Sequence, residues 1–387
     1  MRIPRPLTLL VLLGLLLGGL LLAPPRPAAA QGEACFPQTG FCVRGRFLDY
    51  WTANGGLARN GFPLGDERQE LLEDGNTYTV QYFERVRLEL HPENPPPYDV
   101  LLGQFGRRAL LTRDVGGPPD TGPAAPQSDA AYFAETGHNL GGGFLAYWQA
   151  HGGLAQFGFP LTEVIEERLV PNNPTTYQVQ YFERARLEYH PENPPPYDIE
   201  LGQFGRQILN QNARLVGVPG FARLFITDEH LQGALGYPIE AATSAPGAYQ
   251  PFEHGAMIDR SDIRSIYVLC GSAQSGRAFP GPRLEPFLPD TWDPDQPVGG
   301  GAGPQPGLYE PTRGFGKLWR EYPGLRDCLG YATVPAETPY TVAVQRFYRG
   351  SLASATTPDG RFIYAIYAPA APGSSPLLYE RYPDPAP

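Results

Sequence analysis

A five-residue pattern that occurs four times constrains this chain more than any other feature. Gln81-Tyr82-Phe83-Glu84-Arg85 is followed by Gln180-Tyr181-Phe182-Glu183-Arg184, by Gln250-Pro251-Phe252-Glu253-His254 and by Gln345-Arg346-Phe347-Tyr348-Arg349. The shared core is glutamine, any residue, phenylalanine, any residue, then arginine or histidine. Self-similarity of this kind makes serial copies of one small unit the first expectation for the fold.

Around the pattern the first two units align closely. Each opens with Phe-Leu-x-Tyr-Trp, at Phe47–Trp51 and at Phe144–Trp148. Phe47, Tyr50 and Trp51 fall at helical spacing, and Gly55-Gly56 or Gly152-Gly153 follow as a stop, so a helix of two to three turns is expected in each. The Trp residues read as core on that spacing. Gly61-Phe62-Pro63-Leu64 and Gly158-Phe159-Pro160-Leu161 then mark a tight turn, which returns as Leu235-Gly236-Tyr237-Pro238 and Leu329-Gly330-Tyr331-Ala332. From Tyr78 the sequence alternates: Tyr78, Val80, Tyr82, Val86, Leu88 and Leu90 on one side, Thr79, Gln81, Arg85, Arg87 and Glu89 on the other. Period two predicts a strand, with a turn or bulge at Glu84. The four Phe residues lie on the polar side, which predicts packing between neighbouring units.

The expected class is therefore α+β: tandem repeats, each a short helix plus an antiparallel hairpin or small sheet. A propeller-like ring and a pairing of units one-two and three-four are the two arrangements considered. The expected boundaries are a signal segment at 1–30, unit one at 31–111, a linker at 112–131, unit two at 132–215, unit three at 216–271, a linker at 272–308, unit four at 309–368 and a Pro-rich tail at 369–387. High Gly (46) and Pro (45) fit many short elements joined by turns.

Arg2 and Arg5, an apolar run from Leu7 to Ala23 and the small residues Ala28-Ala29-Ala30 have the layout of a secretory signal. No later stretch is apolar enough to cross a bilayer, so the expected location is secreted or at the cell surface. Cys35 with Cys42 and Cys270 with Cys328 are expected as disulfides, which suit an oxidising compartment. A net charge of −10 argues against a nucleic-acid partner.

For chemistry, His91-Pro92-Glu93 and His190-Pro191-Glu192 combine groups that bind ligands or move protons. One His and one Glu make an incomplete metal shell, so no metal and no cofactor are expected. Glu84, Arg85, Glu183 and Arg184 complete the candidate ligand-binding set. The competing reading is a secreted hydrolase working through paired carboxylates among Glu84, Glu89, Glu93, Glu183, Glu188 and Glu192. Duplication of those groups in two units favours structure, and no nucleophile or phosphate-loop motif is complete.

Leu235-Gly236-Tyr237-Pro238 with Phe252, Gly255 and Met257 resembles the LGFP repeat, and so does Leu329-Gly330-Tyr331 with Phe347, Gly350, Leu352 and Pro358. Units one and two follow it less strictly, with Asn60 and Phe157 for the Leu and Val86 and Ala185 for the second Gly. The resemblance implies an exported bacterial envelope protein that is not itself catalytic. Its implied partners are cell-wall polysaccharide or peptidoglycan, together with a separate envelope enzyme.

Overall fold

The computed structural model describes residues 32–113, 121–170, 173–272, 274–278, 287–357, 360–368 and 377–385. The expected signal segment lies outside the described residues. The fold mixes short helices with antiparallel sheets.

Unit one opens with a strand pair, Glu33–Phe36 and Phe41–Arg44. The helices Gly45–Ala53 and Gly56–Asn60 follow, then a four-stranded meander (Arg68–Leu71, Thr77–Tyr82, Arg87–Leu90, Val100–Leu102) and the helix Phe105–Leu111. Unit two has the same order: strands Ala130–Phe133 and His138–Gly141, helices Gly142–Ala150 and Gly153–Phe157, a meander (Ile165–Glu167, Tyr177–Tyr181, Arg186–Tyr189, Ile199–Leu201) and the helix Phe204–Asn212. The expected Phe-to-Trp helices are both present.

In the second half the meanders are longer and merge. Strands Thr243–Phe252, Gly255–Arg260, Ser265–Gly271 and Ser275–Ala278 join strands Thr338–Phe347, Gly350–Thr357, Gly360–Tyr367 and Leu377–Pro383. Thr243–Phe252 pairs with Thr338–Phe347 on one side and Ser275–Ala278 with Leu377–Pro383 on the other, which closes an eight-stranded antiparallel barrel. Closure leaves the barrel strands without a free edge. Tyr249, Ile258, Tyr267, Leu269, Val342, Tyr364, Ile366 and Tyr379 form one of its cores. A shared barrel, not a ring of blades, is thus how these strands assemble.

Two stretches read as linker and tail carry barrel strands. Ser275–Ala278 lies in the 272–308 segment and Leu377–Pro383 in the 369–387 segment. Their Gly and Pro content looks like a connector, but Gly276 has a packing reason: a Cβ there would lie 2.1 Å from the Cys270 carbonyl oxygen. Both disulfides form as paired from the sequence, and Cys270–Cys328 ties a barrel strand to the helix Leu325–Leu329.

The recurring pattern is a hairpin corner. Phe83 N–H donates to the Val86 carbonyl, and Tyr82 pairs with Arg87. This corner changes the phase of the alternation. Tyr78, Val80 and Tyr82 face the partner unit, whereas Leu88 and Leu90 lie with Phe83 against the unit's own helix. The expectation that all six share one face is corrected accordingly, since a turn resets which side each residue takes.

The role expected for the four Phe residues also changes. Phe83 packs with Val43 and Phe47 of its own unit, and Phe182 with Leu140, Phe144 and Phe157 of its own. Phe252 instead packs with Phe315, Trp319 and Leu329 of unit four, and Phe347 with Phe221, Phe225 and Leu235 of unit three. Only the barrel half exchanges its phenylalanines. Between units one and two the contact is made by Tyr82, Phe105, Tyr181 and Phe204. It is reciprocal: Arg107 N–H donates to the Glu183 carbonyl and Arg206 N–H to the Glu84 carbonyl.

Candidate functional site

The candidate ligand residues at the hairpin corner hold the glycine-aromatic-proline turn in place. A Glu84 carboxylate oxygen accepts from Phe62 N–H at 3.2 Å, and Glu183 from Phe159 N–H at 3.2 Å. Arg85 donates to the Leu57 carbonyl and Arg184 to the Leu154 carbonyl. The preceding glutamine does the same work from the other side: Gln81 Nε2 donates to the carbonyls of Cys42 and Gly65, and Gln180 Nε2 to those of Asn139 and Thr162. A Trp indole closes the lock, Trp51 on the Gly61 carbonyl and Trp148 on the Gly158 carbonyl. These groups satisfy backbone donors and acceptors that the turn would otherwise leave open.

The His-Pro-Glu residues sit at the end of a charge ladder. His91 Nδ1 lies 2.9 Å from Glu93 and its Nε2 3.3 Å from Glu89. Glu89 in turn accepts from the fully buried Arg87 at 2.6 Å, and Arg87 also meets Glu73 at 2.7 Å. Unit two repeats this with His190, Glu192, Glu188 and Arg186. The hydrogen bond to Glu89 raises the His91 pKa against the opposing effect of burial. For His190 burial pushes down, and the bonds to Glu192 and Glu188 push up and win.

Sequence reasoning missed a third constellation, at the point where the chain enters the first helix of each unit. In unit one Asp99 lies there, 7 % exposed, and Arg46 grips it with Nη2 at 2.6 Å and Nε at 2.7 Å. The Arg46 guanidinium holds the Asp99 carboxyl below its ordinary value. In unit two the equivalent segment reads Gly141-Gly142-Gly143 where unit one has Arg44-Gly45-Arg46. Among the described residues no arginine pairs with Asp198, and a cleft of about 660 Å³ opens there.

Its walls mix chemistries. Asp129, Glu163 and Asp198 bring carboxylates, Gln127, Asn139 and Gln178 bring amides, and Tyr189 and Phe144 bring rings. Glu163 Oε1 accepts from Asn139 N–H at 2.9 Å, which fixes one carboxylate against the floor. Asn139 occupies the place of Cys42 and ties down the neighbouring segment by hydrogen bonds: Gln127 N–H to its Oδ1 and its Nδ2 to the Ala125 carbonyl, both 2.9 Å. Where unit one uses a disulfide, unit two uses an amide.

Two helices of the barrel half carry an aspartate at a comparable position. The Asp384 side chain, 2 % exposed and paired with Arg361, sits over the helix Pro219–Thr227, so close that a Cβ on Gly220 would lie 2.1 Å from Oδ1. Asp290 sits likewise over the helix Arg313–Glu321, 2.6 Å from a Cβ built on Gly314. A carboxylate at a helix N-terminus is favourable in itself, so the aspartate has a structural use in all four. The space around it differs, and clefts open beside Asp198 and Asp290.

The chain matches no family model, no curated protein and no solved structure. Among the described residues no helix is long and apolar enough to cross a membrane.

Proposed function

We propose that this chain is an exported, non-catalytic cell-surface protein, built from serial copies of one unit, whose second unit binds envelope glycan in the cleft around Asp198. One observation carries the reading: the change from Arg44 and Arg46 to Gly141 and Gly143 uncovers an aspartate between amides and an aromatic ring. Carboxylates and amides suit neighbouring hydroxyl groups, and the Tyr189 ring suits the apolar face of a sugar. The signal-like N-terminus and two disulfides support the location. The LGFP resemblance supports the partner class, cell-wall polysaccharide or peptidoglycan, with a separate envelope enzyme as a further partner. Glu84 and Glu183 are held by turn N–H groups, which favours binding over the hydrolase reading that would employ them.

The test is retention on purified cell wall, with an unrelated acidic protein as reference. The native chain should be retained. Gly143→Arg should reduce retention about tenfold by restoring the plug, on the scale of one or two lost charged hydrogen bonds. The position accepts a side chain, because the nearest atom to a Cβ there is Ile199 Cδ1 at 3.8 Å. Native retention no better than the reference, or Gly143→Arg retained like the native chain, counts against this reading.

A further inference from the structure

The fourth unit opens a cleft at the equivalent place, with different chemistry. Asp259 pairs with Ile266 on the adjacent barrel strand as Tyr189 pairs with Ile199 in unit two, so an aspartate stands where the second cleft has its tyrosine. Arg313, Gly314 and Phe315 stand where Gly142, Gly143 and Phe144 do. The cleft measures about 320 Å³, and Asp259, Asp290, Glu337, Trp292 and Arg313 are among its walls.

Its bonding is unevenly satisfied. Arg313 donates to Glu337 Oε1 at 2.9 Å and the Thr312 hydroxyl to Oε2 at 2.9 Å, so both Glu337 oxygens are engaged. Arg313 does this from a φ of 48°, where units one and two carry Gly45 and Gly142. A side chain is disfavoured in that conformation. Asp290 accepts from Trp292 N–H at 2.9 Å, and Asp259 Oδ2 from the Ser261 hydroxyl at 2.6 Å. Asp259 Oδ1 is covered and has no hydrogen-bond partner. A covered acceptor without a donor is costly, so this carboxylate is only partly satisfied within the protein. Burial, with Asp290 and Glu337 nearby, holds the Asp259 carboxyl above its ordinary value, which is the environment a cation would reverse.

The cleft's carboxylates are not gathered as a metal shell. Among the described residues the one close group of three potential ligands is Glu33 with Cys35 and Cys42, whose sulfurs are bonded to each other. Three carboxylates against one guanidinium beside an indole instead suit an organic cation. We propose that the fourth-unit cleft binds a primary ammonium group on an apolar stem, the ammonium pairing with the Asp259 carboxylate and the stem lying against Trp292.

The test is calorimetric titration of the full chain with three probes: Nα-acetyl-lysine methylamide, its Nε-acetylated form, and glucosamine. The lysine probe should bind in about the millimolar range, as expected for a small fragment. The Nε-acetylated probe should not bind measurably. Asp259→Asn should weaken the lysine probe about tenfold or more, the scale of a lost charged hydrogen bond. Trp292→Ala should weaken it by loss of the stem contact, and keeps the idea testable if Asp259→Asn fails to fold. Gly143→Arg, which fills the other cleft, should leave the titration unchanged, so failure of the glycan reading does not touch this one. Binding of glucosamine alone supports the ammonium and assigns it to a sugar. Equal binding of the acetylated probe, no binding of either amine, or full affinity in both cleft variants overturns the proposal.

Discussion

Units one and two have the same strand order, the same turn lock and the same charge ladder, yet they differ where the chain enters the first helix. Unit one closes that entry with Arg46 on Asp99. Unit two leaves it open over Asp198 and lines it with amides and a tyrosine. The difference separates what the architecture needs from what it can spare. Glutamine, phenylalanine, the corner acid and the tryptophan are kept in both because each satisfies or buries part of one turn. The helix entry is where they part: Arg46 covers the aspartate in unit one, and Gly143 leaves it open to the cleft in unit two.

If the two units share their architecture in this sense, equivalent core deletions should cost the same. Phe83→Ala and Phe182→Ala each remove a fully buried ring next to the turn. Each should destabilise its unit by about 3–5 kcal/mol in denaturant unfolding. Loss from only one of the two would break the comparison at its root. The next effect concerns their seam. A Cβ on Gly205 would lie 1.8 Å from the Phe83 carbonyl oxygen, and one on Gly106 1.9 Å from that of Phe182. Gly205→Ala and Gly106→Ala should therefore each cost about 1–3 kcal/mol or more through forced backbone movement. The pair of values should match, because the contact is reciprocal; limited proteolysis should show units one and two coming apart.

The parts legible in the sequence are those in which one short segment does the whole job. Gln81 through Arg85 form a hairpin corner by themselves, so their recurrence announced four corners, and the helix from Phe47 to Trp51 was announced by its spacing. The barrel was not legible. Its closure depends on pairing Ser275–Ala278 with Leu377–Pro383, far apart in sequence and rich in residues that read as connector. The exchanged packing of Phe252 and Phe347 was hidden for the same reason, since their surroundings belong to the other unit. The helix-entry aspartate was hidden because it arrives by different routes. Asp99 and Asp198 precede a meander strand, whereas Asp290 follows the short strand Leu288–Pro289 paired on the barrel's rim and Asp384 follows the barrel strand Leu377–Pro383; Asp290 N–H donates to the Arg264 carbonyl and Asp384 N–H to the Arg361 carbonyl. The His-Pro-Glu motif was legible as a unit, but its buried partner Arg87 was assigned to the wrong side by the phase change at the corner.

Acid titration sharpens the comparison at the helix entry. The folded Asp99 carboxyl lies below the ordinary 3.8, so its pairing with Arg46 contributes stability that is fully present above that value and is lost as pH falls through the lower folded one. Asp99→Asn should flatten the acid limb of unit-one stability, followed by fluorescence of Trp51 in a chain whose other three tryptophans are replaced by phenylalanine. Arg46→Gln should flatten the same limb, since it removes the partner that lowers the Asp99 carboxyl. An acid limb that survives Arg46→Gln would mean that the helix terminus, not Arg46, sets the effect.

The smallest expected effect tests what the two units hold in common. His91 and His190 are both raised above the ordinary 6.5 by flanking glutamates. The sign is opposite to that of Asp99: each contributes stability that is fully present below 6.5 and is lost as pH rises through the raised folded value. His91→Gln and His190→Gln should each remove that alkaline decline while leaving stability in the alkaline plateau nearly unchanged, because the imidazole is neutral there. Each histidine packs on a tyrosine ring tilted by 35°, His91 on Tyr78 at 4.1 Å and His190 on Tyr177 at 4.4 Å, so a His→Phe control keeps the ring contact and isolates the charge. If the Phe variants retain the decline, the ladder from His91 through Glu89 to Arg87 does not hold the proton, and the two units share a shape at this edge but not an electrostatic design.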